Sequence, residues 1–248
     1  MNKVIPLAPR IGVLSTLTAP LLPRLLRSLF TVGLDGICVL LDEKLIGEKD
    51  RIIWQQRTEG AFDGGPSLYD FAQRGLAIYP VKSHNSDECI GLIKQLGLFL
   101  LINGGTPRKL NKALLQTIPQ GVINVHPGVL PKYRGASCVE WAIYNDERVG
   151  NTAHFMTEGY DEGPIILSES YDFTPSDTYA SIRTKVYRES LRLTAETVKE
   201  VTSQGLTVSD FQQQGAGELF APISDEKMQV VLEKVANKSY RYMGQNDV

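Results

Sequence analysis

Residues 98–126 read LFLLINGGTPRKLNKALLQTIPQGVINVH, and this stretch decides the fold. The run Leu98 to Ile102 is apolar throughout, as expected of a central strand covered on both faces. Asn103-Gly104-Gly105 then breaks the strand, a helix is expected near Lys109 to Thr117, and Gly121 to Val125 returns to a strand. Strand, turn, helix, strand is the repeating unit of an open sheet with parallel neighbours. In such sheets ligands bind beyond the carboxyl ends of the strands. Asn103 and the segment Asn124 to His126 fall at two of those ends.

Working outward, the same alternation continues towards the N-terminus. Arg10 to Ser15 reads as a short buried strand. Pro20 to Phe30 carries Leu21, Leu22, Leu25, Leu26 and Leu29 at helical spacing. Asp35 to Leu41 is again a strand. Residues 42–66 hold a polar helical turn at Asp50 to Arg57, then Gly60, Gly64, Gly65 and Pro66. A substrate lid and a surface insertion both fit that segment. Order resumes with a helix at Ser67 to Gly75, a strand at Leu76 to Val81 and a helix at Asp87 to Leu96 that Gly97 should stop.

Towards the C-terminus the pattern changes. A helix at Ser137 to Asn145 precedes two strands, Gly150 to Met156 and Pro164 to Asp172. Thr174 to Gln204 reads as one long amphipathic helix, with Tyr179, Ile182, Val186, Leu191, Ala195 and Val198 on one face. Weak strand signals follow Gly205, then a helix at Asp225 to Ala236. The expected fold class is α/β: a doubly wound, Rossmann-like, mostly parallel sheet with a short C-terminal extension. One domain is expected over residues 1–204, with 205–248 packed on it as an extension.

Composition narrows the function classes. The 26 basic residues against 28 acidic ones give no excess of the kind a nucleic-acid surface shows. The longest apolar runs are too short to span a bilayer. Met1 to Arg10 carries Lys3 and Arg10, but the apolar stretch after them is broken by Pro and Thr and resembles no secretory signal. The expectation is a cytoplasmic protein. Cys38, Cys89 and Cys138 lack metal-ligand spacing and read as small buried hydrophobes in a reducing compartment.

The densest cluster of special residues is NVHPGVLPKYRG, residues 124–135. Asn124 and His126 stand two apart on a strand, so their side chains share one face. An amide and an imidazole pointing the same way can converge on one substrate oxygen. Pro131 to Gly135, including Tyr133 and Arg134, then form a rigid, basic-rimmed loop. Taken alone, Asn–x–His is more often a capped turn beside a hydrogen-bonded histidine, and Lys132 and Arg134 would be a solvated face. Downstream, TAHFMTEGYDEGPIILSE (152–169) ends a strand in an acidic, glycine-flanked loop holding Asp161. His154 on that strand fits a pocket wall and a satisfied core histidine equally.

Together these segments resemble the formyltransferase family, which includes glycinamide ribonucleotide, methionyl-tRNA and sugar-nucleotide N-formyltransferases and formyltetrahydrofolate hydrolase. Asn124, His126, Leu130, Pro131, Gly135, Asp161 and Gly163 match the family pattern. The likeness is clear from about Leu98 to Glu169, weaker at Arg10 to Leu29, and faint beyond the long helix. It implies 10-formyltetrahydrofolate as donor, a small-molecule primary amine as acceptor, and no metal. By the same resemblance Asn124 and His126 stabilise the oxyanion and Asp161 is the base. The pterin is then expected against Ile102, Asn103, Gly104 and Gly105 and against Met156, Thr157, Glu158 and Tyr160. Pro131, Tyr133, Arg134 and Gly135 form the expected substrate loop.

Two departures qualify the acceptor. The first strand–helix turn, Ser15 to Ala19, lacks the glycine-rich phosphate loop of the glycinamide ribonucleotide enzymes. The tail after Gly205 is shorter than the tRNA-binding domain of the methionyl-tRNA enzymes. Asn103-Gly104-Gly105 also replaces bulkier residues usual at the pterin wall. An amino-sugar nucleotide is therefore among the expected acceptors, and neither nucleic acid nor membrane is an expected partner. The alternatives are formyltetrahydrofolate hydrolysis and a non-catalytic folate- or nucleotide-binding protein; a homodimer is left open.

Overall fold

A computed structural model describes residues 10–244. The reading of Met1 to Arg10 as no secretory signal falls, but for Arg10, outside the described residues. In chain order the first elements are β1 (Ile11–Thr16), α1 (Leu22–Thr31), β2 (Ile37–Asp42), α2 (Glu48–Thr58), α3 (Leu68–Gln73), β3 (Ala77–Val81) and α4 (Asp87–Leu96). There follow β4 (Leu100–Asn103), α5 (Lys112–Leu115), β5 (Val122–His126), β6 (Tyr133–Gly135), α6 (Cys138–Tyr144), β7 (Val149–Phe155) and β8 (Ile165–Tyr171). The chain closes with α7 (Tyr179–Gln204), β9 (Glu218–Phe220) and α8 (Asp225–Ala236). The fold is α/β with a mostly parallel seven-stranded sheet in the order β3-β2-β1-β4-β5-β7-β8.

The chain divides into two compact units, and the division falls inside β5, between Asn124 and Val125. Among the described residues, the first comprises 10–47, Gly64–Asn124 and Thr194–Asp210. Its strands β1, β2, β3, β4 and β5 pair in parallel. Val13, Leu14, Val39, Leu40, Leu100, Leu101, Ile102 and Ile123 have no exposed surface. Each such side chain contributes about 1.5–3 kcal/mol by leaving water. Helix α4 shows how local chemistry sets the boundaries. The Ser86 hydroxyl caps it by accepting from the Cys89 N–H, Asp87 and Glu88 sit in the first turn, and Gly97 ends it at φ +64°.

Among the described residues, the second unit comprises Glu48–Asp63, Val125–Leu193 and 211–244. Strands β7 and β8 are antiparallel, with a register shift at Ala153/His154. Its core gathers Tyr133, Val139, Ile143, Val149, Phe173, Ile182, Val186, Val231, Val235 and Tyr240. Two expectations are corrected here. The segment Pro131 to Gly135 is not all loop: Tyr133–Gly135 is strand β6, paired in parallel with β9. The long helix starts at Tyr179 instead of Thr174. Asp177 accepts from the backbone and hydroxyl of Thr174 (2.7 and 3.0 Å), while Thr178 and Ser181 exchange side-chain bonds with each other's N–H. Thr174 and Asp177 thus satisfy the backbone in a turn before the helix, and the Thr178–Ser181 pair caps the helix start. The segment 42–66 contains helix α2, and α5 covers only Lys112–Leu115 of the expected 109–117.

Among the described residues no helix is long and apolar enough to cross a membrane. All three cysteines are buried and free, and burial pushes the Cys38 and Cys138 thiols up to about 12 and Cys89 to about 11. Thiols so hard to ionise are poor nucleophiles at neutral pH.

Candidate active site

In the second unit, β5 ends at His126, whose ring is 4% exposed. Its Nε2 lies 2.8 Å from the Tyr133 carbonyl oxygen, an acceptor only, so Nε2 carries a proton. Its Nδ1 lies 3.2 Å from Asp161 Oδ2. Asp161 occupies the loop between β7 and β8 with φ +51°, a conformation side chains rarely adopt. Oδ2 also accepts the Gly135 N–H at 2.9 Å. On the other side, His154 Nε2 stands 3.6 Å from Asp161 Oδ1, while its Nδ1 is 2.9 Å from the Phe155 carbonyl. One carboxylate therefore sits between two buried imidazoles, each anchored to a backbone carbonyl.

The loop that carries Asp161 is pinned from several directions. The Gln214 amide donates to the Asp161 and Gly163 carbonyls at 2.9 and 2.6 Å. A Cβ at Gly163 would come within 1.9 Å of the Phe155 carbonyl oxygen, so only glycine fits there. Burial by itself would raise the Asp161 carboxyl. The His154 contact, the His126 ring and the Gly135 N–H outweigh it and hold the group below the ordinary aspartate value. For His126 burial wins: it holds the ring below 6.5 although Asp161 favours the charged form. A second proton on His126 has one place to go, the Nδ1 facing Asp161, and burial makes it loosely held. A loosely held proton beside a carboxylate is what general acid–base chemistry needs.

The other expected residues fall into distinct groups. Gly135 (φ +90°), Tyr160 and Asp161 line a cavity of about 450 Å³ with Ala136, Leu219, Phe220 and Ala221. The Tyr133 ring is buried and stacks on Phe220 at 5.1 Å, so this residue serves the site through its carbonyl. The Arg134 guanidinium donates to the Gly215 carbonyl at 2.6 Å. A Cβ at Gly217 would come within 1.7 Å of the Pro131 carbonyl oxygen, so Pro131 is held against the β9 approach. Met156, Thr157 and Glu158 lead from β7 into the Asp161 loop, and Thr157 reaches Glu162 at 3.5 Å.

In the first unit, the Ile102 side chain is spent on the core, leaving only its backbone for a ligand. Asn103 Oδ1 accepts the N–H groups of Gly105 and Thr106 at 3.0 and 2.9 Å, and its Nδ2 donates to Asn124 Oδ1 at 2.9 Å. Gly104 donates its N–H to the Leu14 carbonyl (2.8 Å) and accepts from Ser15 Oγ (2.7 Å).

Sequence reasoning passed over two features. Asp42, at the end of β2, is buried; Arg108 grips it with two bonds (2.6 and 3.0 Å) and the His84 N–H donates to it (2.9 Å). An aspartate ending an apolar strand was the available signal. Gln214 was missed because a lone glutamine in a polar tail carries no local signal.

In fold the chain is similar to glycinamide ribonucleotide transformylase 1 from Symbiobacterium toebii, with TM-score 0.58, 21% identity, and coverage of 83% of this chain and 92% of that one. It is likewise similar to a sugar N-formyltransferase from Shewanella sp FDAARGOS_354, with TM-score 0.59, 15% identity, and coverage of 91% and 87%. In sequence, methionyl-tRNA formyltransferase from Clostridium tetani is 29% identical over 152 residues, 61% of this chain and 48% of that protein. The Agathobacter rectalis enzyme of that name is 40% identical over 129 residues, 51% and 41% of the two chains. The chain spans about half the length of these curated relatives, or less. The formyl transferase family model matches residues 45–198, more than half of the sequence. The chain belongs to the formyl transferase family.

Proposed function

We propose that this chain transfers a formyl group from 10-formyltetrahydrofolate to a primary amine of a small-molecule acceptor, an amino-sugar nucleotide being one candidate. The observation that carries the reading is the buried His126–Asp161 pair at 3.2 Å, in a formyl transferase family member whose Asn124 precedes His126 by two residues on β5. The donor fits the residues present on one point. The cavity beside Asp161 combines the Tyr160, Leu219 and Phe220 side chains with a single carboxylate, which suits a flat heteroaromatic group bearing N–H donors. Tyr160 and the 156–161 backbone would hold it.

When bound, the donor supplies a formyl carbonyl attached to nitrogen. Asn124 donates its amide N–H to the negative charge that develops on the formyl oxygen, an interaction worth roughly 100- to 1,000-fold in rate. When His126 takes a second proton at Nδ1, beside Asp161, the positive ring shares in stabilising that charge. Asp161 takes the proton that the attacking amine loses and returns it, through His126 or water, to the departing nitrogen. His154 and the Gly135 N–H hold the carboxylate in place meanwhile.

The test is to incubate purified protein with 10-formyltetrahydrofolate and follow tetrahydrofolate release with and without amino-sugar nucleotides, other small amines and aminoacylated tRNA. Release that requires a small amine is expected. Release without any amine identifies a hydrolase, and release only with charged tRNA overturns the acceptor class. Absence of both turnover and folate binding rejects the reading altogether.

A further inference from the structure

We propose that Asn103 is a positioning residue that sets which way the Asn124 carboxamide faces. Backbone N–H groups only donate. Those of Gly105 and Thr106 end on the same Asn103 atom, at 3.0 and 2.9 Å, so that atom is the carbonyl oxygen. The other branch is then the NH2 group, a donor, and it lies 2.9 Å from the Asn124 side chain. The Asn124 atom facing it must accept, so it is Oδ1, and the Asn124 NH2 is turned away from Asn103. Flipping the Asn124 amide would lose this bond and set two donors against each other.

The two glycines that follow make the device rigid. A Cβ at Gly104 would meet Val13 at 2.5 Å, so glycine lets the chain descend onto β1, where its N–H and carbonyl bond Leu14 and Ser15. Gly105 takes φ +96°, which presents its N–H back to Asn103. Asn-Gly-Gly is thus a clamp on an amide: it aims the Asn124 N–H and leaves the Asn103 side chain committed to that task. The inference rests on the proposed role of Asn124 as donor to the formyl oxygen.

The decisive variant is Asn103→Asp. Its carboxylate keeps one oxygen for Gly105 and Thr106, so the turn survives, but presents an acceptor where a donor stood. The Asn124 amide then turns its NH2 towards the carboxylate and its oxygen towards the substrate. The expected result is a kcat loss of roughly 100- to 1,000-fold, the effect of losing one oxyanion donor, with KM changed by no more than about threefold. Asn124→Ala should show the same loss, and the double variant no further loss. Asn103→Asp at wild-type kcat beside an impaired Asn124→Ala overturns the inference and leaves the functional reading intact. A fully active Asn124→Ala overturns that reading, and the inference with it. A measurement without turnover supplements these: in 15N-labelled wild-type protein the Asn103 side-chain NH2 should be protected from solvent exchange. Asn124→Ala should abolish that protection, and its absence in the wild type would also overturn the inference.

Discussion

Replacing Asp161 by asparagine separates chemistry from structure at this site. The carboxylate meets the Gly135 N–H at 2.9 Å, His126 Nδ1 at 3.2 Å and His154 Nε2 at 3.6 Å. A carboxamide of the same shape keeps most of this. Its oxygen takes the Gly135 N–H, and its NH2 faces His154 Nε2, an acceptor when Nδ1 holds the proton given to Phe155. What is lost is the charge on the bonds, a difference of about 1 kcal/mol between charged and neutral pairing. For a chain of this size the melting temperature should fall by roughly 2–4 °C. The proton acceptor, by contrast, is gone, and turnover should fall by roughly 100- to 10,000-fold. That is about 3–5 kcal/mol in the barrier, several times the stability loss.

The pH dependence has a definite sign. The folded-state pKa of Asp161 is depressed, so its stabilisation is complete above 3.8 and lost as pH falls through the folded value. Titration of Asp161 itself should shrink the melting difference between wild type and Asp161→Asn only below about 4; loss of its charge also lowers His126 further, so the difference should widen somewhat as pH falls below 6.5. Tetrahydrofolate release at saturating donor and amine, with calorimetry on the same samples, measures both quantities. Activity within tenfold of wild type would refute the assignment of Asp161 as base. A melting loss above about 10 °C would show that its work is structural.

Two further outcomes are expected. Glu140 is fully buried, with Arg57 and Arg183 at 3.4 and 3.7 Å and the Tyr179 hydroxyl at 2.5 Å; burial would raise its carboxyl, but the Arg183 and Arg57 guanidiniums hold it low. Glu140→Ala strands the buried Arg183 and should cost about 3–5 kcal/mol, read as a melting drop of roughly 6–20 °C; a drop under 3 °C would contradict it. Burial also holds His84 and His126 below 6.5, so both stabilise the fold above 6.5 and lose that contribution as pH falls towards their folded values. Stability should decline below 6.5 with a slope of at most about 1.4 kcal/mol per pH unit per ring, less steeply in His84→Gln. A melting temperature unchanged between pH 7 and 5 would refute this.

What could be read ahead of the structure depended on how local the determining interactions are. Helix α4 was readable residue for residue because Ser86, Asp87, Glu88 and Gly97 carry its boundaries within the segment itself. The start of α7 was not, because Thr174, Asp177, Thr178 and Ser181 can cap a helix or close a turn, and only the bonds they form decide between the two. The pairing of β6 with β9 joins Tyr133 to Glu218, and no three-residue segment announces a partner that far along the chain. The same division runs through the site. That Asn124 and His126 share a strand follows from periodicity, but the partners of the ring do not. His154 stood undecided between pocket and core for that reason: it is buried, as a core residue would be, and still lies 3.6 Å from the Asp161 carboxylate. Asn103-Gly104-Gly105 was visible only as a departure from the family pattern, which suggested a loosened ligand wall. The structure gives that departure a different content, since every polar atom of the Asn103 side chain is bound, and one of its bonds ends on Asn124. A substitution that removes bulk from one wall of a site can at the same time add order to the groups behind it.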